Sequence, residues 1–224
     1  MTLAGSAGET NASVLRSLPP RLPLFPLPDA VLFPKMALPL HVFEPRYRQL
    51  VAAALRGDQI IGMTLLRPGW EGNYEGRPPV YAHGCAGRLE QCQRLDDGRF
   101  TLVLRGVTRF RIVEEHAGEA YRTATVDALV DECGDAAAME AARQSVLHAI
   151  VRADEGASTL MAQHDIAHEV FVNALCQSLA LEPVERQSLL DCGSILERYE
   201  RLIEILDFKR LEAGLHGSSS GSLH

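Results

Sequence analysis

Apolar and polar residues alternate with two different periods along this chain, and the period changes near residue 135. Before that point, short apolar runs separated by turn residues predict strands. Residues 60–66 form a continuous apolar run typical of a buried strand, and two strands at about 82–95 and 100–115 flank the hairpin signal Asp96-Asp97-Gly98. Gly106 predicts a bulge in the second of these strands. A last strand is predicted at about 121–130.

Beyond residue 135 the apolar residues recur every three to four positions, which is the period of an amphipathic helix. This pattern predicts helices at about 136–153, 166–180, 183–191 and 194–213. Ser194 followed by Glu197 predicts a capping box at the start of the last one. One further helix is predicted within the β-rich part, from Pro45 at its first position to Gly57.

Eight of the twelve prolines lie between Pro19 and Pro45 among large apolar residues. Proline lacks an amide donor and drives the preceding residue into the extended region, so we expect this stretch to form neither a helix nor a central strand. It should run as short extended pieces joined by turns. Its apolar content is too high for a solvated linker, which implies burial against a sheet.

Four segments carry a resemblance to a known family: Leu22-Pro-Leu-Phe-Pro-Leu27, Val31-Leu-Phe-Pro34, Leu38-Pro-Leu-His-Val-Phe-Glu-Pro-Arg-Tyr-Arg48 and Leu104-Arg-Gly-Val-Thr-Arg-Phe-Arg-Ile-Val113. Over about residues 20–212 the chain resembles the amino-terminal substrate-binding domain of Lon proteases, which form the S16 peptidase family, and the resemblance implies a bacterial protein. It resembles more closely the stand-alone proteins built from that domain alone.

The resemblance and the two periods together imply an α+β fold. We expect an N-terminal, antiparallel, β-rich lobe shaped as a partly closed PUA-like barrel with one helix, and a C-terminal helical bundle. The expected division is a disordered lead at 1–18, the β-rich lobe at 19–132, the helical lobe at 133–213 and a flexible tail at 214–224.

Charge is distributed unevenly along the chain. Lys and Arg total 22 against 29 Asp and Glu, a net charge of −7. Residues 1–130 hold 15 basic and 13 acidic groups, whereas residues 131–224 hold 7 and 16, which places a lobe boundary near residues 132–135. The negative balance disfavours nucleic-acid binding by the protein as a whole.

The cysteines and the apolar runs suggest a location. Five cysteines without a C-x-x-C pair favour a reducing compartment, and no apolar run reaches the ~18 residues that a membrane span needs. We therefore expect a soluble, cytoplasmic protein that does not engage a membrane.

The lysines argue against the chemistry of a complete Lon protease, which adds nucleotide-hydrolysing and Ser-Lys protease modules to this domain. A phosphate-binding loop needs a lysine before Ser or Thr, and a Ser-Lys pair needs a buried lysine. The chain has only Lys35 and Lys209, and neither fits either pattern. We expect 224 residues to hold no such module, and the protein to be non-catalytic and to need no cofactor.

The candidate binding residues are aromatic or apolar. Trp70 and Tyr74 lie in the long loop at 67–79, and loop aromatics make effective contacts. Phe33 and Met36, in the turn between the first two strands, could join them in an apolar patch that accepts unfolded protein.

The motif Glu44-Pro45-Arg46-Tyr47 is expected to be structural, with partner contact as the alternative. Glu44 is expected to cap the helix, and Arg46 to form an ion pair across to the sheet. Cys85 and Cys92 are expected to be small core residues.

Three other readings remain open. His164 and His168 could share a helix face and bind zinc, although a capped helix start explains them as well. Arg105, Arg109 and Arg111 could form an RNA-binding face, but acidic residues are interleaved with them. The cleft between the lobes could serve a small-molecule sensor or a cryptic enzyme. The leading hypothesis is recognition of unfolded or extended protein segments, with a separate protease or chaperone as a further partner.

Overall fold

The computed structural model describes residues 18–117, 120–132, 134–153 and 166–219. Residues 1–17 of the predicted lead at 1–18, and residues 220–224 at the end of the predicted tail, lie outside the described residues. The chain divides into two compact units between Val130 and Asp131, close to the step in charge.

The first unit is a mixed sheet with one α-helix. Its elements are β1 (Leu22–Leu27), β2 (Ala37–Val42), α1 (Pro45–Arg56), β3 (Ile60–Leu66), a 3₁₀ turn (Glu71–Asn73), β4 (Val80–Arg94), β5 (Phe100–His116) and β6 (Arg122–Leu129). The strand order is β2-β5-β4-β3-β1-β6, and β6 also pairs with β5, so five strands close a ring and β2 lies at its edge. The α+β prediction is confirmed, with a ring-like sheet rather than a complete barrel.

Strand β1 corrects the expectation that the proline-rich stretch forms no central strand. It pairs parallel to β3 through Leu24–Leu27 and antiparallel to β6 through Leu22–Leu24. Pro23 therefore has a paired strand only on the β6 side, and Pro26 only on the β3 side. Each proline therefore has only one neighbouring strand to which its missing amide could have donated.

The local signals for α1 and for the β4–β5 hairpin act as expected. Pro45 occupies the first turn of α1, whose buried face is Tyr47, Leu50, Val51 and Ala54, and the helix ends before Gly57. Gly98 has a φ of 82° in the hairpin turn, a conformation that glycine adopts without strain.

Gly106 lies where the turn between β1 and β2 packs onto the sheet. The pairing shifts there, because Ala86 faces Thr108 while Gly87 faces Gly106, which leaves Val107 as the extra residue of the predicted bulge. The backbone of Gly106 bonds to Lys35 and Met36 on the turn. A Cβ at Gly106 would collide with the carbonyl oxygen of Phe33, so only glycine fits.

Side chains fill the interior of the ring, so it is a core and not a channel. The buried cluster consists of Leu22, Leu24, Ile60, Ala86, Phe110 and Ala124. Every residue of β3 is buried, which explains its continuous apolar sequence.

The second unit is helical, with α2 (Ala136–Ala153), α3 (His168–Ser178), α4 (Pro183–Asp191) and α5 (Ile195–Ser219). Arg198 lies at its centre and is completely buried. It binds the Asp131 carboxylate through both terminal nitrogens, at 2.9 and 3.2 Å, and also donates to Asn173 and to the carbonyl of Leu189. A buried charge with this many partners ties the start of the unit to three of its helices.

Helix α5 corrects two expectations. It continues to Ser219, so the predicted flexible tail is helical up to that residue, because extending an existing helix costs little. At its start Ser194 accepts from the amide of Glu197 as predicted, but the Glu197 carboxylate accepts from Gly193 instead of completing the box at Ser194.

Candidate functional site

The motif at the start of α1 is joined to the aromatic loop by a three-residue network, which we call the clasp: Glu44, Arg46 and Tyr74. The Tyr74 hydroxyl donates to Glu44 Oε1 at 2.6 Å, and Arg46 Nε donates to Glu44 Oε2 at 3.0 Å. Arg46 Nη1 also donates to the Tyr74 carbonyl at 3.0 Å. The clasp fixes the loop at 67–79 against the helix.

Two expectations for this motif are thereby corrected. Glu44 does not cap α1 with its side chain; only its backbone carbonyl accepts from Arg48, because the carboxylate is turned toward Tyr74 and Arg46. Arg46 pairs with Glu44 two residues away, not across to the sheet. Its guanidinium lies 4.7 Å from the ring centroids of both Tyr47 and Tyr74, within cation–π distance.

Tyr47 anchors α1 to the end of β1. Its hydroxyl donates to the Pro26 carbonyl at 3.1 Å, and its ring lies 4.3 Å from that of Phe25. Burial raises the pKa of Tyr47, so it stays protonated and can donate this bond at neutral pH. Burial and the bond to Glu44 also raise the pKa of Tyr74.

Trp70 packs on Tyr74 of the clasp. Its ring meets Tyr74 edge to face at 5.4 Å, and it is half-buried. The structure therefore brings together the loop aromatics and the Glu44-Arg46-Tyr47 motif, which sequence reasoning had treated separately.

A pocket of about 250 Å³ opens where β1 and β3 end and β6 begins. We call its apolar lining residues Pro26, Leu66 and Pro78 the floor, and its aromatic lining residues Tyr47, Tyr74 and Tyr121 the walls. The remaining lining residues are Arg46, Glu75, Gly76, Arg77, Ala120 and Arg122. An apolar floor with a few convergent polar groups is the usual character of a binding pocket.

Arg77, Tyr121 and Arg122 were missed by the sequence analysis. Arg122 and Ala124 lie two residues apart on β6 and therefore on the same face of the strand. An arginine on the same strand face as a core alanine is the sequence signal that could have predicted an inward-facing cation. Arg122 lies beside Pro78, 44 residues earlier in the chain, because strands that are distant in sequence pair with each other.

Arg122 is 7% exposed. It donates to the Pro78 carbonyl and lies 3.4 Å from the Glu115 carboxylate. Burial lowers its pKa; Glu115 opposes this effect, while the positive charges of Arg77 and Arg46 add to it. Burial therefore has a larger effect on this pKa than the nearby Glu115 carboxylate.

Phe33 and Met36 lie elsewhere. The Phe33 side chain is completely buried, so it is not at the surface where the predicted apolar patch requires it. Met36 is half-buried in the turn on Gly106, and neither residue lines the pocket. The turn buries Phe33 because it packs its backbone directly onto the sheet.

The outer edge of β2 has no partner strand among the described residues. Gly106 donates to the Met36 carbonyl, so alternate residues 38, 40 and 42 direct their backbone groups toward β5 and residues 37, 39 and 41 direct theirs outward. The middle outward residue is Pro39, which has no amide to donate. An added strand would lack a hydrogen bond at the centre of this edge.

The described residues give no support to the hypothesis that His164 and His168 bind zinc. His164 lies outside them, and Ala167 is extended, so α3 begins at His168 and does not reach back to His164. His168 instead lies 3.3 Å from the Tyr199 hydroxyl. The described residues include no group of three His, Cys, Asp or Glu side chains placed to hold a metal.

The predicted basic face is largely neutralised. Arg105 pairs with Glu90 and Arg111 with Asp127, and Arg109 is buried. Cys85 is buried and Cys92 is half-buried.

Comparison with known proteins gives a consistent result. Residues 21–207 match the ATP-dependent protease La (LON) substrate-binding domain. Similar relatives include Lon protease 2 of Myxococcus xanthus, 27% identical over 86% of this chain and 24% of that protein, and Lon protease 2 of Desulfotalea psychrophila, 29% identical over 85% and 25%. The chain thus spans about a quarter of the length of the curated relatives that it matches.

Solved structures agree on the fold. A Lon N-terminal domain protein from Xanthomonas campestris is 26% identical, with a TM-score of 0.60 over 82% of this chain and 97% of that one. The N-terminal domain of Mycobacterium avium complex Lon protease is 18% identical, with a TM-score of 0.63 over 84% and 98%. No helix of the described residues is long and apolar enough to cross a bilayer.

Proposed function

Since this chain belongs to the family of ATP-dependent protease La (LON) substrate-binding domains, we propose that it binds extended or unfolded segments of other proteins and does not cleave them. The observation that carries the proposal is the pocket beside the clasp, with its apolar floor and aromatic walls. In this proposal Tyr74 contacts the bound segment and Trp70 supports Tyr74 from behind.

The pocket suits one side chain of such a segment. A volume of about 250 Å³ lies below the range of about 300–1,000 Å³ typical of sites for whole small molecules. Apolar and aromatic walls favour burial of an apolar side chain. So small a contact supports binding at micromolar dissociation constants or weaker.

Side-chain capture is favoured over strand addition. The unpaired edge of β2 lacks an amide at Pro39, so a segment added there would gain few backbone hydrogen bonds. Binding in the pocket does not depend on backbone hydrogen bonds of this kind, because the segment would contact the lining side chains.

The lysines support a non-catalytic role. Lys35 is exposed in the turn before β2, and Lys209 forms an ion pair at 3.0 Å with Glu185. The base of a Ser-Lys pair must be desolvated, whereas Lys35 is exposed and Lys209 is paired with a carboxylate.

The same reasoning extends to the setting of the protein. We place it in the cytoplasm, because its described cysteines form no disulfide and its relatives are Lon proteases. There it would hand bound segments to a separate protease or chaperone. An RNA role is disfavoured by the ion pairs of Arg105 and Arg111.

The test blocks the pocket without removing any of its bonds. Ala120 lines the pocket and is exposed, so Ala120→Trp puts an indole into it at little cost to folding. Ala82→Trp on β4 is the matched control, since Ala82 is exposed and lies outside the lining. Binding of a fluorescent model protein, reduced and carbamidomethylated to keep it unfolded, is followed by anisotropy. We expect Ala120→Trp to weaken binding by about tenfold or more and Ala82→Trp to leave it unchanged. Equal binding by the two variants would refute the site.

A further inference from the structure

The pocket is lined by several arginines, which binding of an apolar side chain alone does not require. Among the described residues, three arginines, Arg46, Arg77 and Arg122, line it together with one acidic residue, Glu75. Glu44 bonds Arg46 from outside the lining, and Glu115 lies near Arg122. These carboxylates fix two of the guanidinium groups in place without using all their donors.

The donors that remain can be counted. A guanidinium has five N–H groups. The bonds of Arg122 engage two of its terminal nitrogens, one of them at the long distance of 3.4 Å, and Arg77 makes one bond, to the His116 carbonyl. Toward the described residues both side chains therefore keep N–H groups for another acceptor, and burial lowers the pKa of Arg122, an effect that an added anion would oppose.

Charge and shape together restrict the occupant. The basic groups call for an anion, while the floor of Pro26, Leu66 and Pro78 calls for an apolar group directly beside it. Both features occur on a single residue at the C-terminus of a protein chain, which bears a carboxylate next to its own side chain. An internal Asp or Glu offers the anion, but the chain must then leave in two directions from a pocket of about 250 Å³.

We propose that this pocket binds the C-terminal residue of an extended protein segment, with its free carboxylate on Arg77 and Arg122 and its apolar side chain on the floor. This inference rests on the proposed function and names the part of the segment that is recognised.

The experiment compares labelled peptides of one sequence ending in leucine: one with a free carboxylate, one amidated, and one amidated with an internal aspartate. We expect the free-acid peptide to bind about tenfold more tightly than either of the others, because charge-assisted hydrogen bonds are lost without the terminal anion. Equal binding of the acid and the amide would overturn the proposal. So would displacement of the free-acid peptide by inorganic phosphate at the concentration of the peptide itself, which would indicate a general anion site.

Variants assign the effect to the pocket. Arg77→Gln should weaken the free-acid peptide by about fivefold and leave the amide unchanged, and Arg77→Lys should restore part of the loss. Arg99→Gln is the matched control, because Arg99 is exposed, pairs with Asp97 and lies outside the lining. A similar loss in Arg99→Gln would overturn the assignment.

The two proposals fail separately. If Ala120→Trp abolishes binding of the unfolded protein while amidation of the peptide has no effect, segment recognition stands and terminal recognition is wrong. If neither the unfolded protein nor any peptide binds, both are wrong.

Discussion

The hydroxyl of Tyr74 is predicted to hold the aromatic loop closed through Glu44. Tyr74→Phe removes only this hydroxyl and keeps the ring on Trp70, while Glu44→Gln removes the charge and keeps the shape. Hydrogen bonds to charged groups contribute about 1.5–3 kcal/mol when buried. The Glu44 side chain is 19% exposed, so water competes and we expect a coupling of about 1–2 kcal/mol.

The loop itself provides the readout. The amides of Asn73 and Gly76 bond within the loop, and their hydrogen exchange reports its local opening. A coupling of 1–2 kcal/mol corresponds to exchange about 5–30 times faster over residues 67–79 in each single variant. The double variant should add little to either one.

A matched change tests whether the hydroxyl is the cause. Tyr81 lies on β4 with Arg67 over its ring, and Tyr81→Phe removes a hydroxyl that makes no hydrogen bond to the described residues. Tyr81→Phe should leave loop exchange unchanged. Unaltered exchange in Tyr74→Phe, or effects of the two single variants that simply add, would show that the clasp does not close the loop.

Three further outcomes follow from the packing. Arg198→Met should lower the free energy of unfolding of the helical unit by about 3–5 kcal/mol in urea titrations, because it removes the cation from the Asp131 carboxylate, which has little access to water. Removing the exposed ion pair of Arg201 should cost less than about 0.5 kcal/mol. Similar losses of stability in the two cases would contradict this prediction. Gly106→Ala should lower the free energy of unfolding by at least about 2 kcal/mol, whereas Gly72→Ala, whose added Cβ meets nothing within 4 Å, should lower it far less. Equal urea midpoints for the two variants would refute the predicted collision. Burial raises the pKa of Tyr47 above its ordinary 10.0, so the stability that its protonated hydroxyl contributes is complete below pH 10 and is lost as pH rises. The free energy of unfolding should fall by up to about 1.4 kcal/mol per pH unit in that range. Urea titrations at about pH 9 to 11 should show a smaller decline for Tyr47→Phe than for the wild type.

Elements determined by neighbouring residues could be predicted from the sequence. The strand at 60–66 and the helices at 136–153 and 183–191 have the predicted bounds, because their periodicity, prolines and flanking turn residues lie within the segments themselves. The bulge beside Gly106 followed from a single glycine in a strand pattern.

Features that depend on distant pairing could not be predicted. The rule that proline avoids central strands treats a strand as paired along its whole length, but β1 changes partner at Leu24 and each proline has only one neighbouring strand. Glu44 was expected to cap its own helix, because sequence reasoning weighs only nearby donors; the hydroxyl of Tyr74, 30 residues later, bonds it instead. Arg122 enters the pocket for the same reason.

The clasp and Tyr47 show how neighbouring residues of one motif contribute to the same site. Tyr47 bonds the Pro26 carbonyl at the end of β1, while Glu44 and Arg46 bond Tyr74 on the loop, so the end of β1, the start of α1 and the loop meet around one pocket. A change in any of these bonds alters the pocket wall before it alters the core, since the core cluster lies within the ring and the clasp lies at its end. If the pocket recognises protein segments, variants of the clasp should therefore lose binding at a smaller cost in global stability than variants of the ring interior. That separation distinguishes a motif that shapes a site from one that only holds the fold together.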